Sequence, residues 1–289
     1  MFIVADIGGT KMRIAGSRDL LTFKEPVILD TPHNYGVGVE LVRDTIMHIA
    51  GKEAIEALAA GVPGALSDDK RTLQGARHLP LWKEHDLAGD LEKALSTHVH
   101  LENDTAQVGL GEAVFGAGKG VAVVVYITVS TGVNGVRIID GVIDRGRSEI
   151  GGQYLQVGDS PRSLEDMISG SAISEKYGVH PREIEKDSPV WEELARITAF
   201  GVHNTILHWS PDVVILGGSM FNEIGISVER VRAHVEEIMR KFPTVPEIVH
   251  GALTDRGGLW GGLARLRQAL PHAKVSAGQV GDVKPVSNS

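Results

Sequence analysis

Two passages of this chain share one pattern: an apolar strand, a polar glycine turn and a second strand. They are "FIVADIGGTKMRIAGS" (2–17) and "VAVVVYITVSTGVNGVRIIDGVI" (121–143). No other feature limits the fold so strongly. A strand–turn–strand opening written twice predicts two α/β halves, each beginning with a polar, glycine-containing hairpin. Two unrelated hairpins of similar composition are the alternative. At 289 residues the chain exceeds what a single core usually sustains, and 42% hydrophobic residues are enough to fill two.

The first turn, "ADIGGTK" (5–11), holds more than a turn needs. Gly8 and Gly9 suit any tight connection, because glycine adopts positive φ without steric cost. Asp6, Thr10 and Lys11 are surplus to that, and together they suit a metal and an anion. Three glycine clusters could expose backbone N–H groups to phosphate: "DIGGT" (6–10), "STGVNG" (130–135) and "LGGSM" (216–220). Each follows a β-rich run, at the strand end where α/β proteins place ligands. The common nucleotide motifs do not fit. Gly118-Lys119 lacks the upstream glycine of a P-loop, and no G-x-G-x-x-G opens a helix after a strand.

Between these turns the periodicity predicts helices at 38–51 and 87–96, a strand at 99–104 and a helix from 105 to 116. Residues 52–61 read as helix, or as a strand leading into "GVPGAL". Asp140-Gly141 predicts a hairpin turn. Helices are expected at 164–176, 190–209, 224–241 and 257–270, with a strand at 212–220. The division expected is an N-terminal α/β domain over 1–107, joined by the helix at 257–270, and a larger α/β domain over 108–256. The tail 272–289 is polar and aperiodic, and is expected to be poorly ordered.

Composition excludes several classes. A net charge of −8 without a Lys/Arg cluster argues against nucleic acid as a partner. The absence of cysteine excludes disulfides, thiolate nucleophiles and cysteine-held zinc. The N-terminus lacks a basic leader, and the longest apolar run, 121–127, is too short to span a bilayer. A soluble, cytoplasmic protein without a membrane partner is expected.

"LENDTA" (101–106) supplies the fourth element. Asp104 ends a strand and falls at or beside the N-cap of the next helix. It reads as a plain cap, or as a carboxylate kept ionised by the helix terminus and able to accept a proton from a bound hydroxyl. Ser130 and Ser219 adjoin glycines but lack an arranged His/Asp pair, so nucleophilic serine chemistry is not expected. His98 and His100 share a strand face, but no third ligand for a metal stands close in sequence.

"DIGGTK", "GVPG", "LENDTAQVGLGE", "TVSTGVNGV", "SEIGG" and "VVILGGSM" follow the order and approximate spacing of the ROK family. That group contains bacterial sugar kinases and related repressors, within the actin/hexokinase/Hsp70 superfamily. The resemblance covers residues 1 to about 270. It implies a two-domain, actin-like ATPase (ribonuclease H-like) fold with an interdomain cleft, and ATP-dependent phosphorylation of a hexose. Asp104 would be the catalytic base. Asn103, Asp104, Glu149, Glu165 and Gly64 would bind the sugar, with His78 as a further candidate. Asp6 would hold magnesium, through water, while Gly8, Gly9, Thr10 and Lys11 approach the transferring phosphate. Thr131 and Gly132 would contact the β- and γ-phosphates, and Gly217 and Gly218 would flank the adenosine. A homodimer is the family habit.

Two departures fall on the acceptor side. Most members carry a histidine where Gly152 stands, followed by a cysteine-rich zinc loop. Zinc is therefore not expected here, and the lost hydroxyl contact could shift to Gln153. Tyr154, Leu155 and Val157 are candidate anchors for the loop, with a turn at Asp159, Ser160 and Pro161. His78 stands at an asparagine position of a family sugar loop. Polyphosphate as donor, an N-acetylhexosamine as acceptor, and a sugar-binding regulator without a DNA-binding domain remain alternatives.

Overall fold

The computed structural model describes residues 1–76, 79–145 and 148–271. The chain starts with β1 (Phe2–Ile7), β2 (Lys11–Ser17) and β3 (Val27–Asp30), an antiparallel meander. Helix α1 (Tyr35–Ala50), capped by the Asn34 side chain, crosses back to β4 (Ala57–Val62), parallel to β1. Of the two readings of 52–61, the strand is correct: all six β4 residues are buried, too apolar for an exposed helix face. A two-stranded flap, β5 (Ala65–Leu66) and β6 (Leu73–Gly75), precedes α2 (Leu87–Leu95) and β7 (His98–Asn103). The first sheet has the order β3-β2-β1-β4-β7.

The second half repeats that order. After α3 (Asp104–Phe115) come β8 (Val123–Val129), β9 (Val133–Ile139) and β10 (Val142–Ile143), again antiparallel. Asp140 and Gly141, both at positive φ (49° and 73°), make the expected hairpin turn. A small hairpin of β11 (Tyr154–Gln156) and β12 (Arg162–Ser163) leads to α4 (Leu164–Ile168), α5 (Gly170–Tyr177) and α6 (Val190–Trp209). Strand β13 (Val213–Gly217), α7 (Val228–Ile238), β14 (Glu247–His250) and α8 (Gly257–Ala269) complete it. The sheet runs β10-β9-β8-β13-β14, with β8, β13 and β14 parallel. The duplicated sequence pattern is thus a duplicated topology.

Two expected helices are shorter than their periodicity. The run 164–176 breaks at Ser169, which ends α4 and caps α5 through its side chain on the Ala172 N–H. The run 224–241 becomes α7 from 228 to 238, because Ser227 accepts the Arg230 N–H and fixes the start.

Helices α3 and α8 cross between the sheets. Leu110 of α3 packs with Tyr126, Val136 and Ile138 of the second sheet. Leu259, Leu263 and Leu266 of α8 pack with Phe2, Val4, Ala57 and Ala59 of the first. At the crossing a Cβ on Gly261 would collide with the Gln107 carbonyl, so only glycine allows this approach. The expected division at 107/108 falls inside α3, which is continuous. The tail 272–289 lies outside the described residues.

Candidate active site

Strand β1 carries Asp6 to its C-terminal end. Parallel register sets it beside Gly61 of β4, and Gly61 beside Glu102 of β7. The Gly8 N–H donates to Lys11 O at 2.8 Å and closes the following turn. Thr31 pins it, its N–H donating to Thr10 O at 2.9 Å and its hydroxyl to Gly8 O at 2.8 Å. Lys11 turns its ammonium to Asp30, 2.5 Å away, on an exposed surface. Exposed pairs of this kind are weak and readily exchanged.

The start of α3 separates two roles that the sequence had merged on Asp104. Asn103 is the cap: its Oδ1 accepts the Ala106 N–H at 3.1 Å while its Nδ2 donates to Gly64 O at 3.0 Å. Asp104 is the first helical residue, and its Oδ1 takes the Thr105 N–H at 2.7 Å. Its other oxygen is not needed to terminate the helix. Burial raises Asp104 to about 7; the Asp6 charge adds to this, and the Thr105 hydrogen bonds oppose it. Asp6 is raised to about 6, again chiefly by burial, with Arg13 opposing and Asp255 adding. Two carboxylates that repel each other therefore stand at the ends of β1 and β7.

For a hard divalent cation this donor set fits. Magnesium takes oxygen ligands, keeps several waters and uses only one or two protein carboxylates. Asp6 is such a carboxylate, desolvated and close enough to Asp104 and Asp255 for their charges to add unfavourably.

A cavity of about 570 Å³ opens between the halves. The first half lines it with Gly64, Ser67, Lys70, Glu102 and Asn103, the second with Asn134, Arg145, Ser148 and Glu149. Burial, then the charge of Glu165, pushes the Glu149 carboxyl up. Glu165 itself opens on a neighbouring cavity of about 490 Å³ with Ser169, Ser171 and Lys176. Its Oε2 accepts the Val133 N–H at 2.9 Å, so the structure sets Glu165 against the Thr131–Gly132 turn. That turn is closed by the Ser130 N–H on Gly132 O (2.9 Å). It is braced by the Gly170 and Ser171 N–H groups on Ser130 O and Thr131 O (2.7 and 3.2 Å). Gly217 ends β13 in a buried position. Gly218 follows at φ +90°, where a Cβ would collide with the Val129 carbonyl.

Two expectations about the acceptor loop are corrected. Gln153 is not a free polar group aimed at a substrate, because its amide is engaged with Ile150, Gly201 and Asn204. Of the three proposed anchors only Leu155 packs on the core; Tyr154 and Val157 are 65% and 85% exposed. His78 lies outside the described residues. His98 and His100 do stand in β7, where burial and then Arg265 lower the His100 pKa. Among the described residues no three His, Asp or Glu side chains are grouped to hold a metal between them.

Sequence reasoning missed Lys70 and Glu102. Buried Glu102 pairs with Lys70 at 2.5 Å and its other oxygen takes the Asn103 N–H at 3.1 Å, linking the flap to the end of β7. A charged residue ending an apolar strand, directly before Asn-Asp, was the available signal. Gln107 was missed too. Fully buried on α3, it donates to Ala5 O at 2.9 Å and Gly258 O at 2.7 Å, tying β1 to the start of α8.

The family model described as ROK family matches residues 2–269. The chain belongs to the ROK family. It is 25% identical over 315 aligned positions to a glucokinase of Thermotoga maritima, covering 93% of this chain and 98% of that one. It is 27% identical over 209 to a fructokinase of Pediococcus pentosaceus, covering 67% and 73%. A crystal structure of a ROK family glucokinase from Streptomyces griseus with glucose and AMPPNP superposes with a TM-score of 0.77. Identity there is 23%, over 92% of this chain and 99% of that one. The duplicated order of strands is therefore the actin-like ATPase fold of ROK proteins. Among the described residues of this ROK chain no helix is long and apolar enough to cross a membrane.

Proposed function

We propose that this ROK-family chain is an ATP-dependent hexose kinase in which Asp104 is the general base. One observation carries the reading: Asp104 is a desolvated carboxylate, raised to about 7 and relieved of helix capping by Asn103. A base must be unprotonated yet basic near neutral pH, and such a carboxylate is.

In this reading the acceptor lies in the cleft cavity, held by Asn103, Gly64 and Glu149, with Glu165 behind Glu149. Asn103 keeps one amide hydrogen and one lone pair beyond its two structural bonds. Asp104 takes the proton of the acceptor hydroxyl as that oxygen forms its bond to the γ-phosphorus. The bond from the γ-phosphorus to the β–γ bridging oxygen breaks, and ADP leaves with that oxygen. Turn amides of Gly9 and Thr10, in the loop that Gly8 and Lys11 close, and those at Thr131–Gly132 receive the phosphates from the two halves, and Gly217–Gly218 the adenosine. Asp6 would hold magnesium, which supplies charge neutralisation on the phosphates; the protein supplies position. Names of relatives support a sugar acceptor and leave its identity open, since a glucokinase and a fructokinase are similarly distant. We further place the protein in the cytoplasm, as a homodimer whose halves close on the sugar.

An ADP-release assay across a panel of hexoses, ketohexoses and N-acetylhexosamines tests this, with ATP and polyphosphate as separate donors. Sugar-dependent ADP release with ATP is expected. Phosphoryl transfer from polyphosphate alone, or sugar binding without turnover, would overturn it.

A further inference from the structure

Glu149 immediately precedes a 3₁₀ turn at Ile150–Gly152 and Glu165 lies in the five-residue α4, and neither segment is long enough to hold itself rigid. Glu165 is already tied to the Thr131–Gly132 turn through the Val133 N–H, and α4 carries its own Ser163–Asp166 capping box, whereas no side chain caps the turn after Glu149. One residue joins that turn to α6 by its side chain and to the start of α4 by its backbone carbonyl. The Gln153 Nε2 donates to Ile150 O at 3.0 Å and reaches Gly201 O of α6 at 3.5 Å. Its Oε1 accepts from Asn204 Nδ2 of α6 at 3.1 Å. Its backbone carbonyl accepts the N–H of Leu164, the first residue of α4 and neighbour of Glu165, at 2.8 Å.

The chemistry fixes this amide in one orientation. Ile150 O and Gly201 O can only accept, so the group facing them must be the NH₂ end. The remaining oxygen then requires a donor, which Asn204 supplies. Asn204 in turn leaves its own oxygen toward His203 Nδ1 at 3.3 Å, which must carry the proton there because an amide oxygen cannot donate. Helix α6, with Trp191, Leu194, Ala195, Ala199, Val202 and Ile206 buried in the core of the second half, is a rigid base for the arrangement.

We propose that Gln153, seated on Asn204, is a positioning residue whose side chain fixes the turn that follows Glu149 to α6 and so sets affinity for the sugar. The inference rests on the kinase reading for what the glutamates do, but not for the linkage itself. Gln153 touches neither the reacting atoms nor the glycine turns assigned to ATP.

The test compares Gln153→Ala, Gln153→Glu and Asn204→Ala in the full chain. Gln153→Glu matters most. It keeps the shape but turns an acceptor toward Ile150 O and Gly201 O, so a space-filling role would leave it near wild type. All three should raise the KM for the best sugar about tenfold, the scale of one lost buried hydrogen bond, with kcat and the KM for ATP within twofold. The double variant Gln153→Ala/Asn204→Ala should be no worse than the single variants, since both break one linkage. Amide hydrogen exchange at 149–153 should quicken in each variant, with exchange in β8 and β13 unchanged. A wild-type-like sugar KM in Gln153→Glu, or unchanged exchange at 149–153, would refute the proposal. Wild-type protein that turns over no sugar would instead refute the kinase reading, and the exchange data would still decide the linkage.

Discussion

Replacing Asp104 by asparagine should make the protein slower and, at alkaline pH, more stable. The side chain is nearly isosteric, its oxygen can still accept the Thr105 N–H, and Asn103 keeps the cap, so the fold has no reason to change. Turnover should fall by ~10²-fold or more, the usual scale for a lost general base. The stability effect follows from the raised pKa. Folded Asp104 titrates at about 7 against an ordinary 3.8, so the folded state holds its proton over a range where the unfolded chain has released it. Ionised Asp104 therefore costs stability, fully above pH 7, progressively less as pH falls, and not at all below the unfolded value. Three pKa units would be ~4 kcal/mol as an upper bound. Asp104 is largely but not wholly shut off from solvent and shares its repulsion with Asp6, so ~1–2 kcal/mol is the expected gain. In a chain of this size that raises Tm by ~2–4 °C per kcal/mol. Thermal melts of both proteins from pH 4.5 to 8.5 should show curves that separate as pH rises. In parallel, wild-type kcat/KM should fall about tenfold per pH unit below pH 7. Identical melting curves at pH 8, or near-wild-type turnover, would refute the reasoning.

Gly218→Ala should lower ATP affinity or stability by ~1–3 kcal/mol, because it forces a side chain into positive φ against the Val129 carbonyl; isothermal titration with a non-hydrolysable ATP analogue and thermal melts measure both. Glu149→Gln and Glu165→Gln should raise the sugar KM far more than the ATP KM, and equal increases in both would contradict their assignment to the acceptor. Dialysis against EDTA followed by magnesium should restore full activity at an unchanged Tm; activity that returns only with zinc would contradict the absence of a zinc-held loop. Saturating sugar should reduce the radius of gyration in small-angle scattering, since Asn103 and Glu149 come from opposite halves, and an unchanged radius would count against closure.

The repeated strand–turn–strand passages made the two-sheet topology legible, because hairpins are local and their strands are apolar enough to be seen in one dimension. Asp6 and Asp104 drew notice as acids at strand ends, the resemblance to ROK proteins pointed to Gly64, Asn103 and Glu149, and the structure brings these last three onto one cavity. Residues whose significance comes from contact across the chain were not. Gln107 bridges Ala5 and Gly258, and Lys70 finds Glu102 across the flap, pairings that no periodicity encodes. Asp104 and Asn103 shared one helix start, and only φ, ψ and hydrogen bonds could say which of them caps it. Gln153 was left as a candidate for the lost sugar contact because its partners on α6, far along the chain, were invisible from its neighbours. Tyr154 and Val157 were read as anchors from their apolar character alone, yet both face solvent.

The claim on which the rest depends is that the cleft joins an acceptor hydroxyl to the γ-phosphoryl group of ATP through Asp104. Phosphorus-31 NMR of wild-type protein with ATP, magnesium and the sugar that gives the fastest ADP release observes that bond directly. A sugar phosphate ester resonance should grow in step with ADP and without inorganic phosphate, while Asp104→Asn at equal concentration produces it ~10²-fold more slowly. Release of inorganic phosphate without an ester, or an ester formed equally fast by both proteins, would contradict the account.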